Sequence, residues 1–442
     1  MRDLFVTIVV LGSLPLILYR PFIGVIMWSW ISYMNPHRLS WGFAADFPFA
    51  MLIALATMTG ILFMREEKRI PWTRESVLLV IFILWMCVST LFALHHEAAM
   101  EQLSKVLKIQ LMTFITLMLM KDKFRIEMLV WIIALSLGFY GVKGGIFTMT
   151  TGGSYHVRGP NGTFIGGNNE IGLALIMTVP LMRYLHLQAK QRWLKWGLAA
   201  AMGLTIVAIL GTQSRGALVG LVVMGLMLIW KTRKRFILLL VLGPVLYTGF
   251  QFMPESWHAR MDTIQTYEQD QSAMGRINSW HFAFNLAKDR PLIGAGYHAF
   301  TPDLFARYAP DPEDVHDAHS IYFEVLGEHG FVGLALFLLL GWFAWRSCSV
   351  AAKQARPHPE RQWIADLAAM LQVSLAGYAA CGAFLGLAYF DFYYHLIALV
   401  VLVKIQSQML AQQAVVPEAP PVKSNGRLPR QTGVAAGRPA EK

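Results

Sequence analysis

Apolar runs of about 20 residues recur along this chain, and they constrain its fold more than any other feature of the sequence. A helix of that length, at about 1.5 Å per residue, crosses the roughly 30 Å hydrocarbon core of a bilayer. Only 15% of the residues are charged, against about 25% in soluble domains. This composition excludes a soluble enzyme, a disordered chain and a disulfide scaffold. The sequence therefore predicts an all-α, polytopic integral membrane protein with about 12 transmembrane helices.

The segments between the apolar runs alternate in basic content, and this alternation predicts the topology. The runs lie at approximately residues 4–19, 21–34, 47–64, 76–94, 103–120, 126–148, 170–187, 193–211, 216–230, 236–253, 320–345, 363–386 and 389–411. Basic clusters fall on one side, which the positive-inside rule makes cytoplasmic, at 65–74, 121–125, 190–195, 231–235 and 346–361. Segments poor in Lys and Arg fall on the outer side, at 35–46, 95–102, 148–169, 254–319 and 386–391.

The first two apolar runs leave two topologies open. Arg20 and Pro21 either turn the chain between two spans or break a single helix. An even number of spans places the N-terminus on the cytoplasmic side with the C-terminal tail, and an odd number places it outside.

The pattern predicts four regions along the chain. Transmembrane helices fill residues 1–253 and 320–412, and a long outer loop with amphipathic helices separates them at 254–319. Residues 413–442 are rich in Pro, Ala, Gly and basic residues, which predicts a disordered cytoplasmic tail.

Within the long loop, residues 276–289 have the pattern of an amphipathic helix on the membrane face. Ile277, Trp280, Phe284 and Ala287 recur at helical spacing. Pro291 then ends the helix, and the glycines that follow favour a turn.

Neither the net charge nor the cysteines indicate a soluble ligand. The net charge of +11 comes from basic residues clustered between spans, where topology requires them, so we expect membrane lipids and no nucleic acid as partners. Cys87, Cys348 and Cys381 lie far apart and show no disulfide or metal-site spacing.

Arginines on the outer side do need an explanation, because topology does not require them there. Arg158, Arg215, Arg276 and Arg290 all map to that side. Guanidinium groups bind phosphate oxygens bidentately, so together they favour a phosphate or pyrophosphate ligand carried by a lipid. The alternatives are an interfacial snorkelling side chain for Arg215, loop ion pairs for Arg276 and Arg290, and ordinary surface for Arg158.

Acidic and histidine residues cluster at Glu313 to Ser320, where the long loop ends. Two histidines and several carboxylates could bind a divalent metal, but the i, i+3 pair His316 and His319 needs a helix and this run resembles a loop. We therefore predict neither a metal nor a cofactor. His319 stands directly before a span, and an imidazole with a pKa near about 6.5 suits it to accept a proton from a hydroxyl.

Polar residues in the spans that follow complete the set of candidates. Tyr322, Glu324 and Glu328 follow His319 on the same predicted helix, and Asp391 lies between the last two runs at the outer side. We take Arg158, Arg290, Tyr322 and Asp391 as candidate substrate-binding residues. Helix packing explains the two glutamates equally well, and Asp391 could simply pair with an arginine.

Three ordered motifs resemble the bacterial O-antigen ligase and polymerase superfamily over roughly residues 160–345. They are the Ser-Arg-Gly turn in 211–216 (GTQSRG), the Gly-Arg…Trp segment at 275–280 with Pro-x-x-Gly-x-Gly at 291–296, and the His…Tyr…Glu-x-Gly segment at 319–330, in which Ser320 replaces the usual Asn. Residues 33–42 (YMNPHRLSWG) resemble the O-glycosylation ligases linked to exosortase systems.

The resemblance implies a metal-independent, inverting glycosyltransferase of the bacterial inner membrane. Its donor would be a glycan on undecaprenyl pyrophosphate, and its acceptor a hydroxyl of lipid A–core oligosaccharide on the periplasmic face. His319 would be the base, and Arg215 and Arg276 would neutralise the leaving pyrophosphate. An O-antigen polymerase and a protein O-oligosaccharyltransferase stay open as alternatives, and a lipid-linked glycan transporter is the rival from another class.

Overall fold

The computed structural model describes residues 1–232 and 271–413, together with residues 240, 243, 244, 247, 251, 253–255 and 257. The predicted apolar run at 236–253, the long loop before residue 271 and the predicted disordered tail lie outside the described residues, apart from these single positions.

The described residues form α-helices joined by loops and short 3₁₀ turns, with no strand among them. In chain order the helices are α1 (Arg2–Tyr19), α2 (Phe22–Met34), α3 (Phe49–Phe63), α4 (Arg74–Leu91), α5 (His96–Leu119), α6 (Lys123–Thr150), α7 (Asn168–Gln188), α8 (Arg192–Gly211), α9 (Arg215–Lys231), α10 (Gln271–Asp289), α11 (Pro302–Tyr308), α12 (Ile321–Ala355), α13 (Gln362–Gly382) and α14 (Asp391–Gln413). Most bounds lie close to the predicted runs, but α5 begins earlier and α12 continues to Ala355.

Among the described helices, nine are long and apolar enough to cross a membrane. Helices α2 and α3 are apolar but have only 13 and 15 residues, which is about 20 Å of helix each. The predicted fold class, an all-α polytopic membrane protein, is confirmed. The total number of spans stays a prediction.

The first two helices run in opposite directions, so the chain turns at Arg20 and Pro21. The Asp3 carboxylate accepts hydrogen bonds from the backbone N–H groups of Gly42 and Ala44, which places the start of α1 beside the 35–46 segment. The other end of α1 lies against the end of α3, where a Cβ on Gly60 would be 2.8 Å from the carbonyl oxygen of Ile17. Of the two arrangements left open by the sequence, the structure has the turn.

Among the described residues, the predicted basic segments at 65–74, 121–125 and 346–361 lie together at one end of the helix bundle. Arg125 makes a bidentate pair with Glu66, at 2.8 and 2.7 Å, and Lys404 near the end of α14 pairs with Glu75 at the start of α4. We call this the basic end. The opposite loop end carries the connections at 35–48, 92–95, 151–167, 290–320 and 383–390.

Helix α12 is broken near the loop end, at Gly330, whose φ of 68° lies in the region that favours glycine. The break leaves two helix carbonyl groups without a partner inside the helix, and backbone N–H groups of the 290–296 segment donate hydrogen bonds to them. The N–H of Ala295 donates to the carbonyl of Gly327 at 2.9 Å and that of Gly296 to Glu328 at 2.8 Å. A Cβ on Gly330 would lie 2.4 Å from the carbonyl oxygen of Leu292, so only glycine fits there.

Helix α10 confirms the predicted helix at 276–289, and it packs on other protein elements through side chains that the prediction did not name. Phe282, Ala283 and Leu286 are buried against α11 and α12, whereas Phe284 is 44% exposed. Of the predicted apolar positions, Ala287 is buried and Ile277 and Trp280 are half-buried, and the placement of this helix on the membrane face stays a prediction. Its polar residues, described below, hold a loop.

Candidate functional site

A polar cavity of about 250 Å³ opens at the loop end, where segments from most of the chain converge. Four carboxylates and two imidazoles face it, together with a tyrosine and an amide. The lining residues are Gln102, Glu170, His298, Phe300, Asp317, Ala318, His319, Glu324, Glu328, Leu385, Gly386 and Tyr389. We call this the loop-end cavity. Of the predicted site residues, His319 is the one that lines it.

His319 is held in place by its neighbours on both sides. It is half-buried and adopts a left-handed φ of 41° immediately before α12 begins. Such a conformation costs energy in a residue other than glycine and is found mostly where surrounding structure enforces it. Here Trp280 donates from its indole N–H to the carbonyl of Ala318 at 2.9 Å, and its ring stacks on Phe323.

Helix α10 is hydrogen-bonded to the loop that carries His319 through the side chains of Asn278, Ser279 and Trp280, which accounts for polar residues at these positions. Asn278 donates from its amide to the carbonyls of Asp311 and Asp314, at 2.8 and 3.0 Å. Ser279 donates from its hydroxyl to the carbonyl of His316 at 3.0 Å. These side chains therefore fix the path of the chain from 311 to 319 against the start of α10.

Arg276 lies on the same first turns of α10, and its charge reaches His319. Burial is the main cause that holds the pKa of His319 below its ordinary value, and the positive charge of Arg276 and then of His316 act in the same direction. The carboxylate of Asp317 opposes them by raising this pKa. The imidazole is therefore neutral near pH 7, with a guanidinium close by.

Arg215 is the first residue of α9, and the turn before it is packed from both sides. Gln213 has a left-handed φ of 52° and donates from its amide to the carbonyl of Gly153 at 2.8 Å. On the other side, Gly216 approaches the 383–390 segment so closely that a Cβ would lie 3.0 Å from that of Phe384. Because Gly386 in that segment lines the loop-end cavity, the start of α9 packs against the segment that forms one of the cavity walls.

Glu324 and Glu328 of α12 both line the cavity. The sequence alone explained them equally well by helix packing and by a role in the reaction. Glu324 accepts a hydrogen bond from the N–H of Ala388 at 3.0 Å. Glu328 accepts one from the hydroxyl of Tyr389 at 2.6 Å and one from the N–H of His298 at 3.1 Å. Each carboxylate thus ties α12 to a loop that forms another wall.

Sequence analysis missed four polar residues of this cavity: Gln102, Glu170, His298 and Tyr389. His298 is exposed and has a left-handed φ of 60°, like His319. The four come from α5, α7, the 290–301 segment and the 383–390 segment, and none belongs to a recognisable motif. The signal that could have found His298 is its position two residues after the Pro-x-x-Gly-x-Gly segment.

The four predicted substrate-binding residues do not line the cavity. Arg290 donates to the carbonyl of Phe92 at 2.6 Å, and Tyr322 donates to the carbonyl of Ala379 at 2.9 Å. Asp391 is buried and hydrogen-bonded to Ser32 of α2. Arg158 is exposed. Their roles as substrate ligands stay predictions.

The acidic loop before α12 does not assemble a cluster of metal ligands. His316 turns toward Asp314, with Nε2 to Oδ1 at 3.3 Å, and the segment is a loop as predicted. Across the part of the chain that the structure describes, no group of three or more His, Cys, Asp or Glu side chains could hold a metal ion.

Two family matches divide most of the chain. Residues 1–190 match a family of unknown function (DUF5935), and residues 200–338 match the family described as O-antigen ligase. Residues 200–338 are therefore similar to the O-antigen ligase family. This match confirms the resemblance carried by the three motifs, and it supports a function of the ligase and polymerase type, that of a glycosyltransferase-like enzyme. A search of curated proteins finds no match.

The region that matches the O-antigen ligase family contains Arg215, Arg276 and His319, but it does not form the cavity alone. Gln102 and Glu170 come from the region that matches the family of unknown function, and the 383–390 segment follows the domain in the chain. The N-terminal region therefore contributes walls to the same cavity.

Proposed function

We propose that this protein is an O-antigen ligase that transfers polysaccharide from undecaprenyl pyrophosphate to a hydroxyl of lipid A–core oligosaccharide. One observation carries the proposal. Within the region that matches the O-antigen ligase family, a half-buried histidine, His319, lines a polar cavity within electrostatic reach of Arg276.

His319 acts as the general base in this reaction. Its lowered pKa keeps the imidazole neutral near pH 7, so a ring nitrogen can accept the proton of the attacking hydroxyl. General base catalysis of this kind contributes about 10²–10⁴-fold in rate. The carboxylates around the cavity suit a sugar acceptor, because they accept hydrogen bonds from its other hydroxyl groups.

The arginines stabilise the group that leaves. The acceptor oxygen forms a bond to the anomeric carbon while the bond from that carbon to the pyrophosphate oxygen breaks, which inverts the anomeric centre. Arg276 and Arg215 take up the negative charge that develops on the pyrophosphate, and their planar forks match its oxygens. The proton ends on His319, and the reaction needs no metal to supply positive charge.

The proposed orientation places the loop end in the periplasm. The basic end collects the Lys- and Arg-rich connections, which the positive-inside rule assigns to the cytoplasm of a bacterial inner membrane. The lipid tail of the donor would then lie against the helices while its pyrophosphate reaches the arginines.

Substitution of His319 tests the mechanism. In a deletion strain complemented with each variant at matched expression, His319→Ala and His319→Gln should both abolish the lipopolysaccharide ladder while free lipid-linked polymer persists. The amide of Gln keeps hydrogen bonds but is not basic. His316→Gln, three residues away on the same loop, serves as the matched control and should keep the ladder.

Two outcomes would contradict the proposal in different ways. Substantial ligation by His319→Gln would reduce His319 to a positioning residue. Loss of chain length with single-repeat caps left on the core would identify an O-antigen polymerase, and an intact ladder with loss of glycan from a protein would identify a protein O-oligosaccharyltransferase.

A further inference from the structure

A second cavity, of about 480 Å³, lies at the basic end between α4, α12 and α14. It is remote from the loop-end cavity, because Arg346 follows Glu324 by 22 residues of α12, which is about 33 Å of helix. That distance matches the roughly 30 Å hydrocarbon core of a bilayer. We call it the basic-end cavity.

The charged groups of this cavity do not balance. Arg74, Arg346 and Lys404 line it with a single carboxylate, Glu75, which leaves a formal charge of +2. Lys404 is already paired with Glu75, at 2.9 and 3.1 Å to its two oxygens, and Ser347 donates to the same carboxylate. The two arginines therefore carry the uncompensated charge.

Neither arginine has a side-chain partner among the described residues. No described ion pair or side-chain hydrogen bond joins the guanidinium of Arg74 or Arg346 to another residue, although an acidic residue is adjacent to Arg74 in sequence. The guanidinium groups come from different helices, α4 and α12, yet border the same cavity. Together they can bind the oxygens of one anionic group bidentately.

The rest of the wall suits a lipid rather than a free anion. Trp72 and Val350 line the cavity and are 65% and 49% exposed, so apolar surface continues from the charged groups toward the membrane. Phe343 and Ile405 add further apolar wall. Tryptophan prefers the level of the lipid headgroups, which is where the cavity lies along α12.

We propose that the basic-end cavity binds the phosphate headgroup of an anionic glycerophospholipid, with Arg74 and Arg346 on the phosphate and the acyl chains against the exposed apolar wall. Basic pockets between transmembrane helices on the cytoplasmic side bind such headgroups in general. The proposal is independent of the transfer reaction, because it involves the opposite end of the bundle.

Thermal unfolding of the purified full chain tests the proposal. In a neutral detergent, phosphatidylglycerol should raise the unfolding temperature in a saturable way, whereas phosphatidylcholine and inorganic phosphate at the same concentrations should not. The double variant Arg74→Gln/Arg346→Gln should need at least about ten times more phosphatidylglycerol for the same shift, as expected when two charge-assisted contacts are lost. Native mass spectrometry should show one bound anionic lipid fewer.

The matched control is Arg192→Gln/Lys195→Gln, which removes the same charge from exposed positions at the same end but outside the cavity. It should bind phosphatidylglycerol as the unmodified chain does. An equal loss in this control would mean that general surface charge, not the cavity, attracts the lipid. An equal shift with inorganic phosphate would identify a free-anion site, and an equal shift with phosphatidylcholine would mean simple relipidation; each result overturns the proposal.

Discussion

The two ends of α12 border cavities of opposite character. At the loop end Glu324 and Glu328 face a cavity with four carboxylates and two imidazoles, and at the basic end Arg346 faces one with three cations and a single carboxylate. The comparison teaches that the sequence alone identifies a functional arginine at one end but not at the other. The positive-inside rule does not require an arginine at the loop end, so its presence there indicates a function. The same rule already explains an arginine at the basic end, and only the cavity in the structure reveals a site.

The largest effect on transfer should come from replacing the guanidinium group of Arg276 at the loop end. Arg276→Lys keeps the positive charge but loses the planar bidentate donor, so transfer should fall by about 10²-fold or more. Arg192→Lys, an exposed substitution at the basic end, should transfer normally. Rates with lipid-linked donor in detergent give the measurement. Near-normal transfer by Arg276→Lys would show that positive charge alone suffices at this position.

A smaller effect is expected from closing the break in α12. Gly330→Ala forces a Cβ into a backbone conformation that essentially only glycine adopts, and against the carbonyl of Leu292. We expect a loss of about 2–3 kcal/mol in the free energy of unfolding and a loss of transfer. Binding of phosphatidylglycerol to the folded fraction at the basic end should persist, because the break lies far from that cavity.

The control for this change is Gly203→Ala in α8, where a Cβ meets nothing within 4 Å. Replacing a helical glycine with alanine there should stabilise by about 0.5–1 kcal/mol. Equal unfolding temperatures for the two variants would show that the break in α12 is not under steric constraint.

The smallest effect should be a shift in the pH dependence of transfer when a charge beside His319 is removed. Because His319 must be neutral to act as base and its pKa is lowered, transfer should fall only on the acid side, with a midpoint below the ordinary 6.5. Asp317 raises this pKa, so Asp317→Asn should lower it further and move the acid limb to lower pH. Glu313→Gln, an exposed substitution on the same loop, should leave the limb in place. A shift of the Asp317→Asn limb to higher pH would exclude His319 as the titrating base.

Much of this architecture could be predicted because the membrane makes local pattern decisive. Apolar runs set the helices, and the basic segments set the two ends, as the pairing of Arg125 with Glu66 illustrates. The proximity of Arg276 to His319 was also predictable in outline, since both belong to one ordered set of motifs.

What could not be predicted depends on packing between distant segments. Gln102 and Glu170 reach the cavity only because α5 and α7 begin beside it, and nothing in their local sequence marks them. Asp391 shows the converse: its sequence position suggested the site, but its carboxylate turns to Ser32 of α2, more than 350 residues earlier in the chain.

The break in α12 also fixes the segment of chain that leads to His298 on the wall of the loop-end cavity. The N–H groups of Ala295 and Gly296 donate to carbonyls of α12, and that of Phe331 donates to the carbonyl of Pro291 at 2.8 Å, so the 290–296 segment is stitched into the helix by its backbone. Moving this segment away from α12 would break all three bonds at once. Its backbone amides should therefore exchange with solvent as slowly as those inside a helix, and His298, two residues beyond the segment, has a fixed place on the cavity wall.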